Sequence, residues 1–486
     1  MSGKSESARW LRTDSIALLL ILAAAIITRF WHLAQPASEV FDERYTVSLA
    51  RDYLRGLPYS TTHPPLSSLL MALSMKLFGD NPLAWRLPNA VFGVALVGVT
   101  YLLGRRMYRS RKIAIYAAAF TVCDGLFLVD SRIALWEVFY LTFAAAAYLA
   151  LFCFMQNHSK RVQRRALAWM GLALGLCAAS KLLIPAVAFA LVMVFVWGSL
   201  VKERIASEPP GGGLDWHAVI RDCASAFALI GGLSALVYFA FFLPNYWLGW
   251  WHGLADQLAY YRHEFEFQRH LARNGHPYAS PWWSWPLMLR PIRYWSASNF
   301  FMDPQLPVGS IRALGNPIIW WGVVGAVALT IYKAIARRDL SSMFIAGGYA
   351  IYLGLWIPIT RYQFVYYYMP SLYLGFFALA ATVSEVEGNE AARWEPGLLV
   401  VVVVAGLVLG WGLLPGLVGG IAFIGTYLIL RRRHPLKAGR FVALMFAFAV
   451  VAVFAYFFPI WTGVPLSALE LKRRMWLRGP GLANWN

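Results

Sequence analysis

Charge is what this sequence has little of. Only 14% of its 486 residues are charged, against 59% hydrophobic and 16% aromatic. A soluble chain carries about 25% charged residues, so a soluble globular protein is excluded. Acidic residues are the scarcer sign, 24 against 43 basic, for a net charge of +19. That excess does not describe a nucleic-acid surface. It sits in short loops between apolar runs: RRMYRSRK at 105–112, KRVQRR at 160–165 and RRRHPLK at 431–437. Basic loops of this kind mark the cytoplasmic side of a membrane. No nucleic-acid partner is expected. Cysteine is also sparse: Cys123, Cys153, Cys177 and Cys223 lie in or beside apolar runs. That excludes a disulfide framework or a zinc site read from spacing. No internal repeat is strong enough to mark the inverted halves of a transporter.

What is present is a succession of apolar runs. They predict an all-α polytopic membrane protein. About 13 spans are read, with 11–13 fitting the pattern, each needing about 20 residues to cross. They lie near 14–33, 84–104, 113–129, 133–155, 166–180, 183–201, 224–243, 316–334, 341–359, 363–383, 397–413, 415–430 and 440–459. The first follows Lys4, Arg9 and Arg12 and reads as a retained signal anchor. Alternation from a cytoplasmic N-terminus places all three basic loops inside, and residues 34–83 and 244–315 outside. The basic LKRRMW of the tail conflicts with this parity, which leaves the last spans open. Three segments follow: 1–243, an N-terminal transmembrane catalytic module with the external loop 34–83; 244–315, a second external loop; and 316–486, a C-terminal transmembrane region and tail. Residues 66–78 have helical apolar spacing but are too short to span, and predict a helix lying at the interface. The second loop is rich in Trp and Tyr, which gather where apolar surface meets water. Residues 206–216, ASEPPGGGLDW, read as a flexible linker.

Polar residues at ends of distant spans share the external face in this topology: Asp42 and Glu43, His63, Asp130 and Arg132, Lys181, and Arg361. Charges there are costly unless they pair or face a polar cavity, so their convergence predicts one external cavity. Taken singly, each has an ordinary explanation. Asp-Glu after a span can be a solvated loop, Arg and Lys can snorkel to headgroups, His63 can cap an interfacial turn, and the tryptophans can be interface anchors. Together they fit glycosyl transfer from a lipid phosphate. A carboxylate takes the proton of an acceptor hydroxyl. Cations hold the departing phosphate.

The chain resembles the protein O-mannosyltransferases, the dolichyl-phosphate-mannose-dependent enzymes of the GT-C membrane fold. The likeness runs in order along nearly the whole chain: FDERYTVSLARDYLRG with HPPLSSLLMALSMKLFG, RLPNAVFGV, DGLFLVDSRIALWEVFYLTF, GLALGLCAASKLLIP, HPYASPWWSWPLMLRPIRYW, LGNPIIWW, RYQFVYYYMPSLYLG and FPIWTGVPL. The resemblance implies Asp42 as the base for the acceptor hydroxyl, with Glu43 arranging donor and acceptor. It implies Arg132, Lys181 and Arg361 near the donor phosphate, and His63, His276 and Tyr367 shaping the acceptor path. It implies a polyprenyl-phosphate-linked sugar donor, an exported protein acceptor, membrane lipid around the spans, and no metal cofactor, although paired carboxylates can bind a divalent cation. The expected location is the inner (plasma) membrane, with the site on the extracytoplasmic side. Two positions depart from the family pattern: Glu137 stands where Asp is usual, and Tyr367 stands where His is usual. The chain also lacks the large β-trefoil insert of the eukaryotic enzymes, since about 70 residues separate the spans that would flank it. That points to a bacterial-type enzyme and weakens the inference that the acceptor is protein.

Two other readings stand beside this one. DERY at 42–45 is also similar to the lipid A aminoarabinose transferases, which would change the acceptor to a lipid or glycan. A transporter would require charges in mid-span and repeated halves. Oligomeric state and the identity of the sugar are not encoded in any recognisable motif.

The topology makes a direct prediction. In Glu39→Cys protein, the new thiol reacts with a membrane-impermeant reagent added from outside. Labelling only from the cytoplasmic side would invert the topology.

Overall fold

The computed structural model describes residues 2–58, 63–181, 183–208, 213–270, 276–297, 307–388, 395–479 and 483–485. Residues 209–212 of the expected linker lie outside these. The chain is a multi-pass membrane protein built almost wholly of helices. One departure from all-α is a two-stranded antiparallel sheet, Ile292–Ser296 with Ser310–Ala313, in the aromatic-rich loop.

Among the described residues seven helices are long and apolar enough to cross a bilayer, not about 13. They are Pro82–Tyr108, Glu137–Met155, Trp216–Trp247, Pro317–Arg337, Val365–Gly388, Leu414–Arg433 and Pro435–Thr462. Shorter apolar helices at Ser15–Phe30, Leu340–Gly354 and Pro396–Gly410 fall on three further expected spans. The run expected at 113–129 is divided by Asp124, whose carboxylate accepts from Phe127 N and starts the short helix Gly125–Asp130 after Arg111–Cys123. The run at 166–180 lies in Lys160–Ser180, whose first two turns are basic. The segment expected at the interface is a helix at Leu66–Phe78, with the expected bounds.

The chain divides into two compact units that interleave along the sequence. One comprises residues 42–107 and 134–270, the other 1–41, 108–133 and 271–486. Compact packing therefore cuts across the expected succession 1–243, 244–315 and 316–486.

In the first unit, Glu137–Met155 and Lys160–Ser180 form a helical hairpin across a four-residue turn. Trp216–Ala240 packs on the second helix through two glycines. A Cβ on Gly171 would stand 2.9 Å from Ile230 O, and one on Gly175 would stand 2.7 Å from Val237 Cβ. Spacing of four along a helix puts both glycines on one face, where backbones approach closely without an aqueous hydrophobic drive. The Ser234 hydroxyl donates to Gly171 O across this contact at 3.0 Å.

In the second unit, Asp124 ties separate elements together. Its carboxylate accepts from Asn316 N (3.1 Å) and from Trp320 Nε1 (2.7 Å) as well as from Phe127 N. Asn316 in turn donates to Cys123 O and Val450 O, while its Oδ1 caps Pro317–Arg337 at Ile318 N. Asp124 is fully buried. Replacing it by Ala orphans its buried donors, each worth about 1–3 kcal/mol when left unsatisfied. Asp124→Ala is therefore expected to lower the thermal unfolding midpoint in detergent by the equivalent of at least about 2 kcal/mol. Asp124→Asn, which keeps one acceptor oxygen, loses less.

Candidate active site

The helix Glu43–Arg55 positions the opening carboxylates. Glu43, Thr46, Val47, Ala50 and Tyr53 recur at helical spacing and form its buried face, while Arg44 and Tyr45 point outward. Asp42 occupies the N-cap, yet its side chain makes no capping bond. Its backbone carbonyl accepts instead from Tyr45 N (2.9 Å) and Thr46 N (3.4 Å). The two neighbouring carboxylates thus meet different environments.

Glu43 is fully buried. Its Oε1 accepts from Arg86 Nε (2.8 Å) and Ala134 N (2.9 Å), and its Oε2 accepts from Arg86 Nη2 (2.8 Å). Arg86 is 1% exposed. This is a fork-to-fork pair, the geometry in which guanidinium and carboxylate match best. The Thr46 hydroxyl donates to Ala134 O, and Asn89 Nδ2 donates to Leu135 O (2.9 Å), so the same turn is held from two helices. Glu43, expected beside Asp42 at the reacting atoms, is turned inward with both oxygens engaged. It anchors the start of its helix.

Asp42 is half-buried, and among the described residues its carboxylate accepts no hydrogen bond. Burial, and after it the charge of Glu137, raise it from the ordinary carboxylate value to about 6 against the opposing charges of Arg44 and Lys181. A carboxylate with this affinity is largely ionised at neutral pH, yet binds a proton well enough to accept one in a reaction.

Glu137 and Lys181 meet because the hairpin sets the start of one helix beside the end of the next. Lys181 Nζ donates to Glu137 Oε1 at 2.7 Å, with the side chains 12% and 4% exposed. Lys181 Nζ also stands 5.7 Å from the Tyr140 ring centre. Glu137 Oε2 is buried without a hydrogen-bond partner among the described residues. His63 packs edge-on against Trp136 with centroids 4.2 Å apart. Leu66 packs with Ala179. Residues 63–66, 136–137 and 179–181 therefore gather at one end of the hairpin.

The other expected residues lie in the second unit. Arg132 donates through Nη1 to Thr28 O (3.1 Å) and Arg29 O (2.9 Å), and through Nη2 to His32 O (3.4 Å). It caps the C-terminal end of the helix Ser2–Phe30, where cations and donors are favoured. Arg29 does the same for Arg111–Cys123, donating to Thr121 O (2.8 Å) and Val122 O (3.3 Å). Arg361 is half-buried and donates one hydrogen bond among the described residues, from Nη2 to the Tyr367 hydroxyl at 3.2 Å. Tyr367 is stacked on Trp356 at 4.1 Å. His276 lies edge-on to Phe364 at 4.8 Å and accepts from Tyr278 N through Nδ1. Partial burial holds its imidazole below the ordinary histidine value, hence neutral at pH 7. Among the described residues no three His, Cys, Asp or Glu side chains converge as a metal ion would require.

The sequence reading gave Arg86 no role, although a signal existed. An arginine four residues into an apolar run must have a buried partner. Glu137 was visible only as a departure from a family pattern.

An almost wholly helical multi-pass membrane fold, with the desolvated carboxylate of Asp42 at the N-cap of Glu43–Arg55, fits the class of GT-C-like membrane proteins. Comparison with known structures and sequences agrees. The chain is similar to the Saccharomyces cerevisiae protein O-mannosyltransferase Pmt1-Pmt2 complex bound to the sugar donor, with TM-score 0.75 at 14% identity over 98% of this chain and 93% of that one. It is less similar to ArnT from Cupriavidus metallidurans bound to undecaprenyl phosphate, with TM-score 0.54 at 15% identity over 92% and 77%. Residues 19–85 and 62–210 match family models described as dolichyl-phosphate-mannose-protein mannosyltransferase. Residues 254–479 match the C-terminal four TMM region of protein-O-mannosyltransferase. A polyprenol-phosphate-mannose–protein mannosyltransferase of Mycolicibacterium smegmatis is 26% identical over 94% of this chain and 91% of its own length. One of Corynebacterium glutamicum is 26% identical over 75% and 81%. Together these models match residues 19–210 and 254–479, and the chain belongs to the protein mannosyltransferase family.

The Glu43–Arg86 pair yields a stability prediction. Removing one partner of a buried ion pair costs about 3–5 kcal/mol, because the other charge is left uncompensated. Arg86→Ala should therefore abolish most folded protein, measured as the monodisperse fraction in detergent after heating. Glu43→Gln, which keeps shape and an acceptor oxygen, should be milder.

Proposed function

We propose that the protein transfers mannose from a polyprenyl-phosphate-linked donor to Ser or Thr hydroxyls of exported proteins, at the extracytoplasmic face of the plasma membrane. The acceptor oxygen attacks the anomeric carbon, the bond from that carbon to the phosphate oxygen breaks, and the lipid phosphate departs with the electron pair. Asp42 takes the hydroxyl proton. The observation that carries this reading, beside family membership, is the state of Asp42: desolvated, unused in capping and without a hydrogen bond among the described residues. Arg361, with a single hydrogen bond to Tyr367, is the cation proposed for the donor phosphate. Arg132 is engaged with backbone carbonyls and Lys181 with Glu137, so both act at one remove. His63, His276 and Tyr367 are proposed to shape the acceptor path. The helix Leu66–Phe78 is proposed to lie along the membrane surface, and the shorter apolar helices to complete the spans.

Fold likeness to ArnT supports a second reading, transfer to a lipid or glycan acceptor. Offering radiolabelled polyprenyl-phosphate-mannose with either a Ser/Thr peptide or a lipid acceptor separates the two. Label on the peptide supports the first reading, and label only on lipid replaces it. Absence of any transfer would remove both.

Asp42→Asn is expected to lower turnover by at least about 100-fold with little change in donor affinity, the lower range for loss of a general base. The wild-type rate should fall as pH drops through about 6, where Asp42 becomes protonated and can no longer accept. Near-normal turnover in Asp42→Asn would remove this residue from the mechanism.

A further inference from the structure

The Glu137–Lys181 pair takes no direct part in the transfer chemistry just described, yet it follows the turn that packs on the start of Glu43–Arg55. Its geometry is unusual for a plain structural ion pair. Lys181 bonds one oxygen of Glu137 at 2.7 Å, while the other oxygen is buried without a hydrogen-bond partner among the described residues. Glu137 is 3% exposed. Charges so poorly solvated, with one carboxylate oxygen left unbonded among the described residues, act strongly on their surroundings, because little water screens them. Ala134 bonds through its N to Glu43 Oε1 at 2.9 Å and through its O to the Thr46 hydroxyl, so the turn that leads into Glu137 is held against the start of the helix that Asp42 caps. Asp42 thus lies within the field of both members. Among its other neighbours, Arg44 on the same helix is exposed and screened, and Glu43 is neutralised by Arg86. His63 stands on the same end of the hairpin, against Trp136.

We propose that the Glu137–Lys181 pair sets the strength of Asp42 as a base: Glu137 is a positioning residue whose charge makes Asp42 bind a proton more tightly, and Lys181 restrains that effect. The inference rests on Asp42 being the proton acceptor, and it assigns to Lys181 a task other than holding phosphate. Its logic is electrostatic. A carboxylate beside a like charge resists ionisation, and a carboxylate beside a cation favours it. Using a pair rather than a lone carboxylate keeps Asp42 basic enough to accept a proton, but ionised enough to be ready for one. The pair sits at a helix junction, Glu137 opening one helix and Lys181 closing the next, so its geometry is fixed by the hairpin and not by the loop that carries Asp42.

The test reads protonation of Asp42 directly. A hydrophobic carbodiimide modifies protonated carboxyl groups, so its incorporation at Asp42, quantified by mass spectrometry across pH 4–9, gives a midpoint without any transfer assay. Glu137→Gln is expected to move that midpoint down by about one pH unit, the lower range for a like-charge neighbour, and Lys181→Gln to move it up by a similar amount. The double variant should return close to wild type, and Glu137→Asp, which keeps the charge, should stay near it. The acidic limb of the transfer rate at saturating donor should follow the same order. The donor phosphodiester does not titrate in this range. Midpoints unmoved in both single variants would overturn the proposal. So would a shift of the same sign in both. If Glu137→Gln cannot be produced folded, the sign given by Lys181→Gln decides alone. Weaker donor affinity there with an unmoved midpoint would return Lys181 to the phosphate and reject the proposal. Wild-type protein that shows the labelling midpoints but transfers no mannose would sink the proposed function and leave the tuning intact.

Discussion

A buried charge must find its partner, and in a chain with 14% charged residues that constraint selects the structure around it. The Glu43–Arg86 pair is its clearest case. Both side chains are essentially without solvent, and each nitrogen–oxygen contact is 2.8 Å. Unpaired, either charge would cost several kcal/mol in an apolar interior. The pair therefore fixes where the helix Glu43–Arg55 begins relative to Pro82–Tyr108. Ala134 N on the same Glu43 oxygen adds the turn that precedes Glu137. Asp42, one residue before this anchor, inherits its position without contributing to it.

That division of labour has a chemical consequence. A carboxylate that builds structure is hydrogen-bonded, ionised and inert. One that must accept a proton has to be less well satisfied. The two adjacent acids meet opposite environments because helical geometry sends one to the buried face and leaves the other at the N-cap. The N-cap role of Asp42 is supplied by its backbone carbonyl, which leaves the side chain unspent. The poor solvation of Asp42 is sustained by over-determined surroundings, here the anchor beside it.

The second unit answers the same constraint with backbone carbonyls. Arg29 and Arg132 each donate to the C-terminal carbonyls of another helix, and Asp124 gathers donors from three places. Such contacts satisfy helix ends that would otherwise be orphaned. They also show Arg132, expected in sequence near the donor phosphate, engaged with backbone carbonyls. An arginine near the end of a span is equally suited to either task, and only its neighbours distinguish them.

How much was legible follows from which forces are local. The polytopic helical class, the basic loops and the helix at Leu66–Phe78 depend on composition and periodicity, which the sequence carries by itself, and the family was legible as a resemblance of ordered motifs. Asp42 could be singled out from sequence by its place at the mouth of a span and by the family resemblance. The span pattern was overread at 113–129, because average apolarity outvoted Asp124, whose capping bond breaks the helix. The inward turn of Glu43, its partner Arg86, and the meeting of Glu137 with Lys181 were decided by tertiary structure alone. Their partners lie 43 or 44 residues away along the chain, and the sequence does not say which of many charges will pair. Hydropathy is additive and can be summed over a window. Compensation of a buried charge is a relation between two residues, and it exists only once packing has brought them within hydrogen-bonding distance.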